Sequence, residues 1–405
     1  MRVMLCNVFY APQSIGGATR VVEDNAHDFR EMGAVSDLAV FCSLQGGRQH
    51  GETRTYRTAE AQVMAVTTKI VPNADLLVSD PVMRQRFGDF LDYFQPDIIH
   101  FHCLQRLTSD ICLEAQARNI PYLITMHDGW WISDRQFLLN DAGEVEAYDY
   151  NDLAKANTLF GEQAMKRQVA LRQALKGAAK LLTVSKTFAR VLADAGLEGV
   201  EVSTNGVSDV PVLPKVPSDK VTLGYLAGAA HYKGYHQMRA TFLAGNFDKL
   251  RLTVVDHSLR AHQAIREKWG STEVERIGFI PQSEVANLYA KLNVVLVPSI
   301  WPESFGLVAR EALLTRSWLV ASNRGAAAED VQEGLNGHVF DPSAPGDLAR
   351  VLQMINDSPD IYRQPSAPTL IRSKREQAEE LISLYRTILG AGTAHGQPHL
   401  SSAGT

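Results

Sequence analysis

Two carboxylates, Glu303 and Glu311, frame a turn within Val294-Val-Leu-Val-Pro-Ser-Ile-Trp-Pro-Glu-Ser-Phe-Gly-Leu-Val-Ala-Arg-Glu311. Glu303 falls in a loop broken by Pro298 and Pro302, and Gly306 to Leu314 has helical composition. Ser304 offers an N-cap for that helix. The amides of Phe305, Gly306 and Leu307 then point out of a helix N-terminus, unpaired and partly positive, and such an end accepts a phosphate. A carboxylate on either side can hold hydroxyls of a sugar and of a ribose. The layout suits a nucleotide diphosphate sugar. The two glutamates taken alone also fit an ordinary strand-loop-helix with solvated acids.

Two further groups stand where chemistry can occur. His127 and Asp128 end the apolar run Pro121-Tyr-Leu-Ile-Thr-Met126, at the C-terminal tip where α/β folds place function. A buried histidine oriented by an aspartate reads equally from that pair. Gly129-Trp-Trp131, followed by Asp134, Arg135, Gln136 and Asn140, mixes aromatic and polar groups in the manner of a sugar site. A packed loop with a hairpin at Asn140 to Gly143 is the plainer reading. The pair His100-x-His102 lacks a nearby third ligand, and no metal site is expected from it.

Behind these residues the chain alternates strand and helix twice. Arg2 to Val8 reads as a strand, Tyr10 to Gly17 as a loop ending in Gly16-Gly17, and Ala18 to Met32 as an amphipathic helix. This is the opening of a Rossmann-like unit, without the G-x-G-x-x-G of a dinucleotide site. Residues 46–75 read as irregular. Strands are expected at Ala34–Cys42, Pro96–His102, Pro121–Asp128, Lys180–Ser185 and Val200–Thr204, and Asn205 follows the last. Three prolines in Asp209–Ser218 mark a semi-rigid connector. Beyond it strands at Val221–Leu226, Arg251–Val255, Val274–Phe279, Val294–Val297 and Trp318–Ala321, with helices between, indicate a second parallel sheet. The expected division is a first domain at 1–210, a linker at 211–219, a second domain at 220–370, a final helix at 371–389 and a disordered tail at 390–405.

The 405 residues are enough for two domains, and a net charge of -5 gives no reason to expect nucleic acid as a partner. Cys6, Cys42, Cys103 and Cys112 show no metal or redox spacing and read as buried hydrophobes in a reducing compartment. The N-terminal stretch is too short and too quickly polar for a signal peptide, and no apolar run is long enough to span a membrane. The expectation is a cytoplasmic protein. The helix Phe160–Lys180 carries Lys166, Arg167, Arg172, Lys176 and Lys180, which reads either as a solvated face or as a peripheral contact with the inner face of the membrane.

Glu303-x7-Glu311, with Ser304-Phe-Gly306 inside it, resembles the E-x7-E signature of the family 4 retaining glycosyltransferases (glycosyl transferases group 1). Other segments are similar in turn: the Gly16-Gly17 loop, Pro96-Asp-Ile-Ile-His-Phe-His102, Asn205-Gly-Val207, Lys233-Gly234, Gly325-Ala-Ala-Ala-Glu329 and Gly334-Leu-Asn-Gly337. Residues 129–152 resemble in part an insertion of some sugar transferases of polysaccharide pathways. The resemblance implies an α/β GT-B architecture, two Rossmann-like parallel-sheet domains facing across a cleft. The implied reaction moves a sugar from a UDP- or GDP-sugar, with retention, to a glycan, a lipid-linked or a small-molecule hydroxyl acceptor. It implies His127, Lys233 and Glu303 as catalytic residues. It implies Gly16, Gly17, Lys233, Phe279, Ile280, Glu303, Ser304, Phe305, Gly306, Leu307 and Glu311 around the donor, and Asp128, Trp131 and Asn205 toward the acceptor. No D-x-D motif occurs, so no metal and no other cofactor is expected. One departure stands out: Ala229 occupies the place of the family's phosphate-binding arginine, with His231 in the same loop as a partial substitute. An epimerase on the same fold and a non-catalytic nucleotide-sugar binder remain as alternatives.

Overall fold

The computed structural model describes residues 1–146 and 149–394. Strands β1 (Arg2–Cys6), β2 (Asp37–Leu44), β3 (Thr53–Arg57), β4 (Gln62–Thr67), β5 (Ile98–Phe101), β6 (Tyr122–Met126), β7 (Lys180–Thr183) and β8 (Val200–Val202) form one sheet in the order β3-β4-β2-β1-β5-β6-β7-β8. Strands β9 (Val221–Tyr225), β10 (Leu250–Val255), β11 (Ala264–Trp269), β12 (Thr272–Ile277), β13 (Val294–Val297), β14 (Trp318–Ser322) and β15 (Gly337–Phe340) form a second, β11-β12-β10-β9-β13-β14-β15. Only the edge strands β3 and β11 run antiparallel to their neighbours. The central strands are continuous apolar runs, β1 Val3-Met-Leu-Cys6 and β13 Val294-Val-Leu-Val297, because helices cover both faces. In each sheet the chain leaves the first strand in both directions, to β2 and β5 around β1, and to β10 and β13 around β9. Those are the two switch points at which α/β sheets open a crevice.

The last helix, Lys374–Ala394, packs on the helix Gly17–Glu31 of the first unit. Its Ala378, Leu381, Ile382 and Tyr385 are buried among Val3, Leu5, Val22 and Phe29. Tyr385 meets Phe29 edge-on, with ring centres 5.8 Å apart.

Several sequence expectations need correction. Residues 46–75 hold the hairpin β3–β4, whose outer strand is polar because it forms an exposed edge. Between β10 and β12 the chain makes strand β11 instead of a helix, turning at Gly270 with φ 58°. The final helix begins at Lys374 and continues through residues 390–394, so that part of the expected tail is helical; residues 395–405 lie outside the described residues. The basic helix spans Glu162–Lys176, and two of its cations turn inward: Arg167 binds Asp134 and the Trp130 carbonyl, and Arg172 binds the Tyr150 carbonyl. Lys166 pairs with Glu162, and Lys180, beyond the helix on β7, pairs with Glu201. The charges do not form one free face. No helix among the described residues is long and apolar enough to cross a membrane.

Candidate active site

A cavity of about 640 Å³ lies between the C-terminal edges of the two sheets. The first unit contributes Gly16 and Gly17 after β1, His127 and Asp128 after β6, and Asn205 after β8. The second contributes Lys233 after β9, and Glu303 to Leu307 after β13. A Cβ built on Gly17 would lie 3.3 Å from Leu307 Cδ1, so the two units touch where the cavity narrows.

The loop after β13 shapes the donor side. Its helix starts at Leu307, and the cap is Gly306, at φ 82°, with no side chain bonded to the first turn; Ser304 is not the N-cap expected from sequence. The N–H groups of Phe305, Gly306 and Leu307 donate to no backbone carbonyl among the described residues, which leaves them available at the cavity wall. Glu303 is held by its backbone, its N–H donating to the Trp301 carbonyl (2.8 Å) and its carbonyl accepting from Ala326 N–H (2.8 Å). Lys233 donates to Glu303 Oε1 and Ser299 to Glu303 Oε2. The ammonium also lies 5.5 Å from the Trp301 ring centre. Carboxylate and cation thus neutralise each other on the cavity wall.

His127 lines the wall on the side of the first unit, with His102 and His100 buried behind it. His127 Nε2 and His102 Nδ1 are 3.0 Å apart, and His100 is held by Tyr385 OH (2.6 Å) and Thr125 Oγ1 (2.7 Å). Burial depresses all three. His127 falls to about 4, and His100 falls to about 3 with a further push from His127. His102 is also held far below its ordinary value, by burial first and then by its two histidine neighbours. His127 is therefore a neutral hydrogen-bonding group, not a cation, near pH 7. Asp128 accepts from Trp130 N–H (2.9 Å), Gln105 (3.0 Å) and Gln136 (2.7 Å); burial raises its pKa, and those donors oppose the rise.

Four of the residues named from sequence sit elsewhere than the cavity wall. Trp131 is 1 % exposed and packs edge-on against Trp130 in the core, so it cannot meet an acceptor; Arg167, lying over the Trp130 ring, fixes that arrangement. Phe279 and Ile280, after β12, lie outside the cavity, and Phe279 is 55 % exposed. Glu311 is buried in the helix behind the cavity, paired with Arg20 of the first unit at 2.7 Å and accepting from Tyr289 OH at 2.8 Å. Asn205 lines the cavity, but its Oδ1 accepts from Gln377 of the last helix at 3.1 Å. His231 is not in the cavity wall; it rests against Gly143. The wall beside Ala229 is completed by His257, which packs on Gly228.

The sequence reading missed Gln105, Arg106, Phe137, Tyr232, Trp301 and His257, all of which line the cavity. Phe137 of the first unit stacks on Tyr232 of the second, with ring centres 3.8 Å apart and planes 10° apart. The adjacency of Tyr232 to Lys233 and of Trp301 to the Glu303 loop was the available signal; the partner Phe137 was not visible before folding.

Two facing Rossmann-like units with a cleft at their switch points define the GT-B fold. The chain belongs to the glycosyl transferases group 1: the profile of that name matches residues 213–367, and the glycosyl transferase 4-like domain matches residues 16–206. A D-inositol 3-phosphate glycosyltransferase of Corynebacterium kroppenstedtii is 35% identical over 80 residues, 20% of this chain and 18% of that protein. The matched segments thus span about a third or less of the first curated relatives, 33% and 18% of their lengths. Sucrose-phosphate synthase from Thermosynechococcus elongatus has the same fold, with a TM-score of 0.64 at 18% identity, over 97% of this chain and 98% of that one. HepE of Anabaena, solved in complex with UDP-glucose, superposes with a TM-score of 0.62 at 18% identity, over 98% of this chain and 100% of the other.

Proposed function

We propose that the protein transfers a hexose from a UDP- or GDP-sugar, with retention at the anomeric carbon, to a hydroxyl of a glycan, lipid-linked or small-molecule acceptor in glycoconjugate synthesis. The observation that carries this reading is the convergence of Lys233, Glu303 and the free 305–307 amides on one cavity faced by Gly16-Gly17 and His127. The UDP-glucose complex of HepE and the inositol phosphate substrate in the relative's name support a nucleotide-sugar donor and a small or phosphorylated acceptor.

In this reading the donor diphosphate lies against the amides at the helix start and Lys233, and the sugar hydroxyls take the oxygens of Glu303. The anomeric C–O bond breaks, and the leaving diphosphate carries the electron pair. The acceptor oxygen bonds to the same face, and its proton passes to the departing phosphate oxygen. No protein general base is needed. Negative charge builds on the phosphate, so donors must already point there; losing one such donor costs on the order of 3 kcal/mol. Neutral His127 holds a hydroxyl of the transferred sugar. The fixed cations and amides supply the charge compensation, so turnover should survive EDTA.

Ala229 favours a second reading, a nucleotide-sugar binder without turnover. One screen separates the two. Thermal shift and nucleotide release are measured against UDP- and GDP-sugars for the wild type and Lys233→Ala. Stabilisation by one sugar nucleotide with slow release, both reduced in the variant, supports transfer. Stabilisation without release with any acceptor supports the binder, and no stabilisation at all overturns both.

A further inference from the structure

A second cavity, about 470 Å³, opens beside the first on the same edge of the β1 sheet. Its walls come from the loops after β2 and β4, the strands next in line from β1. Arg106, in the loop after β5, lines both cavities and is their shared wall. The new cavity has a distinct electrostatic character. Lys69 and Arg106 line it, and none of its lining residues is acidic. Arg106 is held by Asp75 at 2.7 Å from the far side. Lys69 is half-buried and makes no ion pair or side-chain hydrogen bond among the described residues. Thr67, on the same wall, is 3 % exposed, and its hydroxyl has no hydrogen-bond partner. That hydroxyl packs against Gly47, which also lines the cavity.

The backbone around Arg106 carries strain as well. Arg106 and Thr108 both lie in the left-handed region, at φ 67° and 61°, where non-glycine residues are uncommon. Such strain persists where the surroundings over-determine it, and it gathers at ligand clamps. Here it places the guanidinium on the boundary between the two cavities.

We propose that the second cavity seats a phosphate group of the acceptor, between Lys69 and Arg106, while the acceptor hydroxyl reaches the transfer cavity past Arg106. The inference rests on the transferase reading and names its acceptor class: a phosphorylated molecule. Two sources share that chemistry, a soluble sugar or polyol phosphate and the headgroup of a phosphate-linked lipid. Ile70, 90 % exposed next to Lys69, would face the lipid in the second case.

The test keeps the donor site filled. Inorganic pyrophosphate is titrated calorimetrically into the full-length protein at constant ionic strength, with and without saturating UDP. The expected result is a site that persists under UDP, weakens by about tenfold or more in Lys69→Ala, the loss of one charge-assisted contact, and is restored in Lys69→Arg, while UDP affinity is unchanged in both variants. Pyrophosphate binding abolished by UDP, or indifferent to Lys69, overturns the proposal. Failure of UDP to bind, with Lys69-dependent pyrophosphate binding retained, counts against the donor reading alone. Flotation with phosphatidylcholine vesicles containing phosphatidic acid then separates the sources. Lys69-dependent flotation that pyrophosphate competes away supports the lipid form, and pyrophosphate binding without flotation supports the soluble one.

Discussion

At the residue scale the site is a set of mutually satisfied charges that a donor must rearrange. Glu303 is 6 % exposed and depends on Lys233 and Ser299 for compensation. Lys233→Ala therefore removes a phosphate ligand and strands a buried carboxylate. Turnover should fall about 10²–10³-fold, and stability should fall by about 1–3 kcal/mol. The double variant Lys233→Ala/Glu303→Ala should regain most of that stability and none of the activity. Denaturant melts of the cycle check this, and additive stability losses would contradict it. The histidines give a second test. The folded His127 pKa, about 4, lies below its ordinary 6.5, so the unfolded chain binds the proton first on acidification. Stability should begin to fall below about pH 6.5 and keep falling toward pH 4, with a contribution of up to about 3 kcal/mol from this residue. Between pH 6.5 and 5 most carboxylates stay ionised, so that window isolates the histidines. His127→Gln should remove about a third of that slope, His100 and His102 keeping the rest, and an unchanged slope in urea melts would refute the assignment.

At the element scale the loops after the strands hold their shape through close backbone contacts. Gly234, at φ 76°, follows Lys233, and a Cβ there would lie 1.8 Å from the Pro298 carbonyl oxygen. Gly325 similarly allows the Glu303 backbone to approach, since a Cβ on it would lie 2.2 Å from Glu303 N. Gly234→Ala should lower donor affinity and stability together. Gly346→Ala, at φ 82° with nothing within 4 Å of the new carbon, should cost only about 1 kcal/mol of backbone strain and leave donor affinity alone. Equal effects of the two on donor binding would remove the steric argument. The same elements explain what the sequence made legible. Val294–Val297 is uniformly apolar because the strand is covered on both faces, so strand, turn and helix could be read directly. Strands β3 (Thr-Arg-Thr-Tyr-Arg) and β11 (Ala-Ile-Arg-Glu-Lys-Trp) lie at exposed edges without the apolar run of a covered strand, and their pairing depends on a neighbour the sequence does not name. Trp131 shows the corresponding limit at the site. Its type fits a sugar platform, yet its direction is set by Arg167, far along the chain, which draws the Trp130–Trp131 turn into the core. The Arg20–Glu311 pair was hidden for the same reason: neither residue carries a mark of the other.

At the scale of the whole molecule the chain is closed on itself. It crosses from the first unit to the second before β9 and returns beside Gly206, where Val207 pairs with Ser373. The returning helix inserts Ala378, Leu381, Ile382 and Tyr385 into the first unit, and Tyr385 OH bonds His100, buried behind His127, at 2.6 Å. Full burial of a large apolar side chain stabilises by about 1.5–3 kcal/mol. Leu381, Ile382 and Tyr385 together then contribute on the order of 6 kcal/mol, comparable with the entire net stability of a typical domain, about 5–15 kcal/mol. A chain ending at Arg372 should therefore lose cooperative unfolding of its first unit, exposing Val3, Leu5, Val22 and Phe29. Tyr385→Phe keeps the apolar contact and removes only the bond to His100, so it should fold and cost about 1–3 kcal/mol. Calorimetry of the two variants measures both effects. A truncated chain that melts like the full-length protein would mean that the first unit is complete without the returning helix, and that its apolar face is a surface rather than part of the core.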